Sequence, residues 1–279
     1  MVALEITSNS VSGMAGRVMR HALALVLLLG LWPTASAAQT PSSSPDPVRF
    51  VLWTGGDVKA FGRGFFSMRT LYVAAGVGGT VFLLSGQDAD LTQGAIDLAE
   101  GAGTRPRRIL NEVGNVDAVR PMALIFFLGT LTSGNERLQD AAFTSLEAII
   151  ISNLITNTLK AVVGRARPFQ EEGASSFKPF SGNTSFPSGH ATTVFAFTTP
   201  WLLYYHNAPT IALFALGAGT AFTRMADNVH WFSDVLIGTA IGFTTGYWLS
   251  KRHQRESTRV SVTPVVGNQQ TGLFVRVKF

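Results

Sequence analysis

Long stretches without a charged side chain constrain this chain more than any other feature of its sequence. Five apolar runs follow one another, and neither residues 191–223 nor residues 235–250 contain Lys, Arg, Asp or Glu. The runs are too long for strands and show no period of two, so each is predicted to be helical. They cover residues 70–87, 121–135, 148–159, 189–223 and 235–250.

The order of these runs predicts the fold class. The fourth run is long enough for two helices, with Asn207-Ala208-Pro209 as the predicted turn between them. The sequence therefore predicts an all-α bundle of six helices, the third starting near Ala141. In the tail, Leu273, Val275 and Val277 alternate with their neighbours, and this period of two predicts a short C-terminal β-hairpin with residues 260–266.

The apolar character of the helices indicates a membrane. Only 14% of the residues are charged, against about 25% in average soluble domains. A helix that is apolar all round is either central or faces lipid, and six helices cannot all be central. We therefore expect a membrane-embedded bundle, with Trp201, Tyr204 and Tyr205 in an interfacial aromatic belt. Because several runs fall short of the ~20 residues that a span needs, a soluble periplasmic protein remains the alternative.

Composition shifts divide the chain into four parts. Residues 1–38 are predicted to be a signal peptide or N-terminal anchor, because Arg17 and Arg20 precede an apolar run and Ala35-Ser36-Ala37 resembles a cleavage site. Residues 39–68 form a linker, Pro/Ser-rich at its start, and an entry segment. Residues 69–255 form the helical domain, and residues 256–279 the strand-like tail.

The direction in which the helices cross a membrane stays open. Lys251, Arg252 and Arg255 would place the end of the last helix in the cytoplasm, and a site at the opposite end of that helix in the periplasm. A cleaved signal followed by six spans would reverse this orientation. The sequence predicts a bacterial-type cell envelope protein without deciding between these topologies.

Two classes of function are excluded by composition. The chain has no cysteine, so disulfides, thiolate metal sites and cysteine nucleophiles are ruled out. The net charge is +5, but the basic residues are scattered and do not form a nucleic-acid-binding stripe. The small cluster of Arg105, Arg107 and Arg108 is interpreted as a solvated patch.

Polar residues at the ends of two apolar helices form the first candidate site segments. Lys160 and Arg167 are seven residues apart and therefore share a helix face, with Arg165 off that face but near enough to help hold an anion. The segment FPSGH, residues 186–190, opens the next helix. There the N–H groups of Ser188 and Gly189 are predicted to be free and to form an anion cradle.

A third segment supplies a nucleophile. His230 and Asp234 are four residues apart, so that the carboxylate can accept a hydrogen bond from one imidazole nitrogen and leave the other available. Arg224 adds a third cation. Such a set of cations and backbone donors suits a transferring phosphoryl group, which His230 can attack while His190 protonates the leaving oxygen.

Together these segments resemble the three-part signature of the type 2 phosphatidic acid phosphatase (PAP2) and vanadium haloperoxidase superfamily: K-x6-RP, PSGH and SR-x5-H-x3-D. The resemblance covers about residues 124–251, and the residues around the motifs are most similar to those of the lipid-phosphatase branch. One position departs from the pattern, because Thr223 stands where the pattern has serine; the hydroxyl is kept. The matching positions are Lys160, Arg167 and Pro168, then residues 187–190, then Arg224, His230 and Asp234.

The resemblance implies a role for each matching residue. His230 would form a phosphohistidine, Asp234 would orient it, and His190 would be the general acid. The residues expected to bind phosphate are Lys160, Arg167, Ser188, Gly189 and Arg224. The resemblance implies no metal and no other cofactor, and vanadate is expected to bind as a phosphate mimic.

The expected function is hydrolysis of phosphomonoesters or diphosphates, carried by lipids. Phosphatidate, phosphatidylglycerol phosphate, undecaprenyl diphosphate and lipid A phosphate are all compatible with the sequence. The alternatives are a non-specific periplasmic acid phosphatase and a vanadium-dependent haloperoxidase. Expected partners are a phosphorylated lipid or a small phosphate ester and the membrane, with no nucleic acid and no obligate protein partner.

Overall fold

The described part of the chain is mainly helical. The computed structural model describes residues 47–65, 76, 78–81, 83–256, 260–267 and 270–277. Its helices are α1 (Val48–Phe65), α2 (Asp88–Ala102), α3 (Thr104–Val113), α4 (Val116–Thr130), α5 (Glu136–Val163), α6 (Gly189–Tyr204), α7 (Ala208–Ala226) and α8 (Phe232–Glu256). A 3-10 helix, Pro168–Gln170, lies in the α5–α6 connection, and strands β1 (Val260–Gly267) and β2 (Gln270–Val277) pair in an antiparallel manner.

Helix α6 is the centre of the bundle. It is buried continuously over residues 191–201 and packs against α5, α7 and α8. Polar side chains tie it to α5, since Thr156 donates to Thr192 at 3.1 Å and the amide of Asn153 donates to Thr193 at 3.1 Å. These bonds satisfy buried hydroxyls and an amide that would otherwise destabilise an apolar interface.

Glycines allow α8 to lie directly against α6. A Cβ on Gly238 would lie 2.5 Å from the carbonyl oxygen of Ser188, and one on Gly242 would collide with the carbonyl of Thr192. The backbones therefore approach more closely than any side chain permits. This contact places the first turn of α8 beside the first turn of α6.

Adding one methyl group at this contact is expected to destabilise the fold. Gly242→Ala should lower the free energy of unfolding by about 1–3 kcal/mol, because the Cβ meets backbone that cannot move aside. Gly94, in α2, is the matched control, since a Cβ there meets open space, and Gly94→Ala should stabilise the protein by about 0.5–1 kcal/mol. Thermal melting of both variants in one detergent measures the effect. Equal melting temperatures would contradict the close contact.

The predicted and observed helices differ outside the apolar runs. Helices α4 to α8 correspond to five predicted helices, although α5 begins at Glu136 rather than near Ala141. Helices α1, α2 and α3 were not predicted, because they are not apolar runs; α1 lies within the predicted linker and entry segment. The remaining predicted helix, residues 70–87, falls largely outside the described residues, as do the predicted signal segment and the start of the linker.

The predicted aromatic belt is wrong for two of its three residues. Trp201 and Tyr204 are buried in the core, where they pack with residues such as Ala142 and Leu249. The sequence shows that these residues lie in an apolar helix but not which way they face. Because α6 is central, its aromatic side chains face other helices.

Length and apolar composition together single out α5 as a candidate membrane span. Among the described residues it is the one helix long and apolar enough to cross a bilayer, and 33% of its most apolar window is buried in the bundle. Helices α4 and α6 have 15 and 16 residues, fewer than the ~20 of a straight span.

Candidate active site

The three candidate segments meet at one end of the bundle. Lys160 lies in the last turn of α5, Ser188 caps the start of α6, and His230 lies in the short connection between α7 and α8. Lys160 donates to the carbonyl of Pro187 at 2.7 Å, and the Ser188 N–H donates to the carbonyl of Asp234 at 2.9 Å. The predicted site residues are thus held together by direct contacts between their segments.

His230 faces Asp234 just before α8 begins. The Nδ1 atom of His230 lies 3.6 Å from Oδ2 of Asp234 and has no hydrogen-bond partner among the described residues. Its backbone N–H donates to the carbonyl of Arg224 at 3.1 Å, and only 3% of the residue is exposed. The pair was predicted to share a helix, but His230 precedes the helix and Asp234 lies in its first turn.

Asp234 accepts hydrogen bonds from several groups other than the histidine. Its Oδ2 accepts from the hydroxyl of Ser185 at 2.5 Å and from the N–H of Trp231 at 3.0 Å. The bond to Trp231 spans the three residues that a capping box uses, so Asp234 also closes the start of α8. A carboxylate held in this way presents a fixed charge to the imidazole.

Arg165 does not hold substrate, contrary to the sequence-based interpretation. It is fully buried, and its guanidinium pairs with Asp234 at 2.6 Å and with Asp88 at 2.6 Å. Its remaining N–H groups donate to the hydroxyl of Ser233 and to the carbonyl of Ala174. All five guanidinium donors are therefore used within the protein.

The start of α6 offers backbone donors, but one residue later than predicted. The N–H of Ser188, expected to be free, donates to Asp234, and the Ser188 hydroxyl accepts from Ala191 as a helix cap. The N–H groups of Gly189 and His190 have no acceptor among the described residues, as expected for a first turn. These two donors, at the positive end of the helix, form the candidate anion cradle.

Three cations surround the histidines. Lys160 and Arg167 act electrostatically on His230, and Arg224 and Arg167 on His190. Arg167 donates to the hydroxyl of Thr184 at 3.3 Å. Arg224 pairs with Asp227 at 2.9 Å, whereas its Nε is buried and has no partner among the described residues. That unpaired donor is suited to an oxygen of a bound anion.

Burial adjusts the proton affinity of the candidate nucleophile. Burial lowers the pKa of His230, with the cations Lys160 and Arg167 acting in the same direction and Asp234 opposing them. The neutral imidazole therefore persists below the usual histidine range. Since the neutral form carries the nucleophilic lone pair, the lowered pKa favours the nucleophilic form of His230 at neutral and mildly acidic pH.

This shift predicts a pH profile. The acidic limb of kcat/KM should fall below the ordinary histidine value of 6.5, because activity is lost only as the pH drops through the lowered pKa. The profile is to be measured between about pH 4 and 9 with p-nitrophenyl phosphate, after correction for the titration of the ester. An acidic limb above 6.5 would mean that Asp234 dominates and that the resting imidazole is protonated.

Some residues of the site were not found from the sequence. Asn111, at the end of α3, accepts from Arg224 and from the hydroxyl of Thr223, and donates to Asp227 at 2.7 Å. Arg107 also reaches Asp227 at 3.4 Å, so the arginine patch on α3 is partly engaged with the site. The other site residues that the sequence did not indicate are Asp88, Ser185 and Ser233. No periodicity or motif marks these residues.

A second buried ionic cluster lies far from the histidines of the site. Asp57, Glu147 and His253 have potential metal-ligand atoms within 4.8 Å of one another. His253 contacts Asp57 at 2.7 Å through Nε2 and Thr144 at 2.8 Å through Nδ1. His253 follows Asp234 on α8 by about 28 Å of helix, so this cluster is separate from the candidate active site.

Comparison with known families identifies the helical core. Residues 141–257 match the family model of the PAP2 superfamily. The matched residues run from the first turns of α5 to the end of α8 and contain all three candidate segments. Asp88 and Asn111 lie outside them.

Part of the chain is similar to proteins with assigned activities. The chain is 41% identical over 99 residues to a lipid A 1-phosphatase of Rhizobium johnstonii, covering 34% of this chain and 40% of that protein. It is 34% identical over 110 residues to a lipid A 1-phosphatase of Porphyromonas gingivalis, covering 37% of this chain and 22% of that protein. The chain thus spans less than half the length of these relatives.

A solved structure gives a partial likeness. The crystal structure of Aquifex aeolicus LpxE superposes with a TM-score of 0.46 at 18% identity, covering 59% of this chain and 95% of the other.

Proposed function

We propose that this chain is a membrane-embedded phosphatase that removes phosphate from lipid headgroups without a metal, and the match of residues 141–257 to the family model of the PAP2 superfamily supports this. One observation carries the proposal. A buried histidine, with a carboxylate beside one ring nitrogen, lies among three cations and two helix-start N–H groups. Such a site can bind a phosphate dianion and attack it.

The first chemical step forms a phosphohistidine. The lone pair of Nε2 of His230 attacks phosphorus, and the bond between phosphorus and the lipid oxygen breaks. His190, protonated when the phosphate is bound, donates its proton to that oxygen, so that a monoester leaves as a neutral alcohol and a diphosphate as a lipid phosphate. The positive charge that develops on the imidazole is stabilised by Asp234, and the Nδ1–Oδ2 distance of 3.6 Å is expected to shorten in this step.

The second step releases phosphate. A water molecule gives a proton to His190 while its oxygen bonds to phosphorus, and the bond from phosphorus to Nε2 breaks. Both histidines then regain their starting forms. Lys160, Arg167 and Arg224 contribute by stabilising charge on the equatorial oxygens, which is the main requirement of phosphoryl transfer.

Two observations support a lipid substrate. Large apolar side chains are exposed on several helices, among them Ile125 (63%) on α4, Leu154 (64%) on α5 and Ile211 (58%) on α7. Exposed apolar surface of this extent is typical of proteins that contact lipid. The relatives are named for action on a lipid phosphate, lipid A 1-phosphate, which makes that class the first to test.

The proposal is tested by a substrate panel on purified full-length protein in detergent micelles. The panel compares lipid A 1-phosphate, phosphatidate, phosphatidylglycerol phosphate and undecaprenyl diphosphate with p-nitrophenyl phosphate, with and without EDTA. We expect phosphate release from at least one lipid at a higher kcat/KM than from the soluble ester, unchanged by EDTA and inhibited by orthovanadate.

Other outcomes would redirect the proposal. Loss of activity in EDTA would contradict the metal-independent mechanism. A preference for soluble esters, with release of the protein from membranes by carbonate, would favour a soluble periplasmic acid phosphatase. Oxidation of halide by peroxide with added vanadate, without phosphatase activity, would favour the haloperoxidase.

A further inference from the structure

A buried chain of charges continues behind the candidate nucleophile. Nη1 of Arg165 donates to Oδ1 of Asp234 and Nη2 donates to Oδ2 of Asp88, each at 2.6 Å. All three side chains are fully buried. A buried arginine between two carboxylates leaves the group with one net negative charge, which lies behind the imidazole of His230.

The carboxylate of Asp88 also holds the start of α8. Asp88 lies in the first turn of α2, and its Oδ1 accepts from the backbone N–H of Ser233 at 2.8 Å. Its Oδ2 also accepts from the hydroxyl of Ser233 at 2.6 Å. One turn along α2, the hydroxyl of Thr92 accepts from the N–H of Phe232 at 3.2 Å. Helix α2 thus satisfies the first two N–H groups of α8.

This arrangement fixes the segment that carries the chemistry. His230 lies two residues before α8, and Asp234 lies in its first turn. An exposed helix start frays readily because its N–H groups have no partner within the helix. Since Asp88 and Thr92 bind those groups from another helix, the spacing between His230 and Asp234 is held from outside the family-matched region.

We infer that Asp88 is a positioning residue for the nucleophile, acting through Arg165 and the first turn of α8. The inference rests on the proposed phosphatase function. Without the charge of Asp88, Arg165 would pair with Asp234 alone and neutralise the carboxylate that stabilises the phosphohistidine. Asp88 keeps Arg165 shared, so that Asp234 retains its negative charge toward His230.

The decisive variant is Asp88→Asn, which keeps the shape and removes the charge. We expect kcat for p-nitrophenyl phosphate to fall about 10- to 100-fold, the range found when a partner of a functional side chain is removed. KM and the Ki of inorganic phosphate should stay unchanged, because Lys160 and Arg167 are not touched. The acidic limb of the pH profile should move to lower pH, because removal of a negative charge destabilises the imidazolium of His230 and lowers its pKa further. Asp88→Glu should restore part of kcat.

A matched control separates positioning from general destabilisation. Asp140, near the start of α5, is also buried and paired with an arginine, Arg49, at 3.0 Å. It lies about 30 Å of helix from Lys160. Asp140→Asn should lower the melting temperature without changing kcat per active site or the pH profile. Active sites are counted by the burst of phosphoenzyme in rapid quench.

The outcomes distinguish this inference from the proposed function. A wild-type protein that hydrolyses no phosphate ester overturns both. An active wild type together with an Asp88→Asn variant of unchanged kcat per site and pH profile overturns the positioning role alone. If Asp88→Asn does not fold, Ser233→Ala removes only the hydroxyl that Asp88 and Arg165 share. That variant must then show a smaller loss of kcat at unchanged KM, and an unchanged kcat overturns the inference.

Discussion

His230→Ala is expected to lower kcat by at least about 10,000-fold, because removing a nucleophile eliminates the covalent route and leaves only binding and electrostatic stabilisation. The wild-type protein, quenched during turnover of labelled substrate, should carry phosphate that is stable in alkali and labile in acid, as expected of a phosphohistidine. The variant should carry none. Its Ki for inorganic phosphate should change little, since the three cations remain.

A second histidine serves as the control for this experiment. His206, in the connection between α6 and α7, is exposed and lies outside the site. His206→Ala should keep the wild-type kcat and the phosphoenzyme signal. Retention of turnover by His230→Ala, or labelled phosphate on an acidic residue in the wild type, would show that another group attacks phosphorus.

The local parts of the site could be predicted because each lies within one short segment. Spacing brought His230 near Asp234, and the structure gathers both at the end of the bundle where Lys160 and Arg167 lie. The predicted helix face shared by Lys160 and Arg167 is wrong, because α5 ends at Val163 and Arg167 lies in extended backbone beyond it. The environment of each residue was harder to predict. The N–H of Ser188 donates to the carbonyl of Asp234, and every N–H of the Arg165 guanidinium donates to a protein acceptor. These partners lie in other segments of the chain, so the spacing within one segment does not reveal them.

The non-local parts of the site leave no trace in the sequence. Asp88 precedes Ser233 by 145 residues, and Asn111 precedes Arg224 by 113. Each is a single polar residue in a helix that is not an apolar run, so neither hydrophobic periodicity nor motif spacing marks it. Hydropathy likewise predicted the apolar helices but misplaced Trp201 and Tyr204, because it contains no information about which helix is central.

Asp88 and Asn111 contact different parts of the candidate site. Asp88 binds Arg165, which contacts Asp234, whereas Asn111 binds Arg224. In the proposed mechanism the signature segments supply the reacting groups, and residues of helices α2 and α3 bind these segments. Transfer of the signature alone to another helical bundle would not reproduce the site.

Arg224→Ala is expected to lower kcat/KM for p-nitrophenyl phosphate by about 100- to 1,000-fold, the cost of removing one preorganised donor from a charged transition state. Asp227 and Asn111 hold the Nη2 end of its guanidinium, while the buried Nε has no partner. A phosphate oxygen bound at Nε would satisfy that donor. The donor is already oriented, so its contribution should appear mainly in kcat.

Lysine cannot replace this arginine despite having the same charge. Arg224→Lys has no counterpart of Nε, and its single ammonium would stay with Asp227, so little of the lost activity should return. The control is Arg105→Ala, which removes an exposed cation of α3 and should leave kcat/KM unchanged. If Arg224→Lys instead retained near wild-type kcat, Arg224 would act only through its charge, and the Nε contact with phosphate would be excluded.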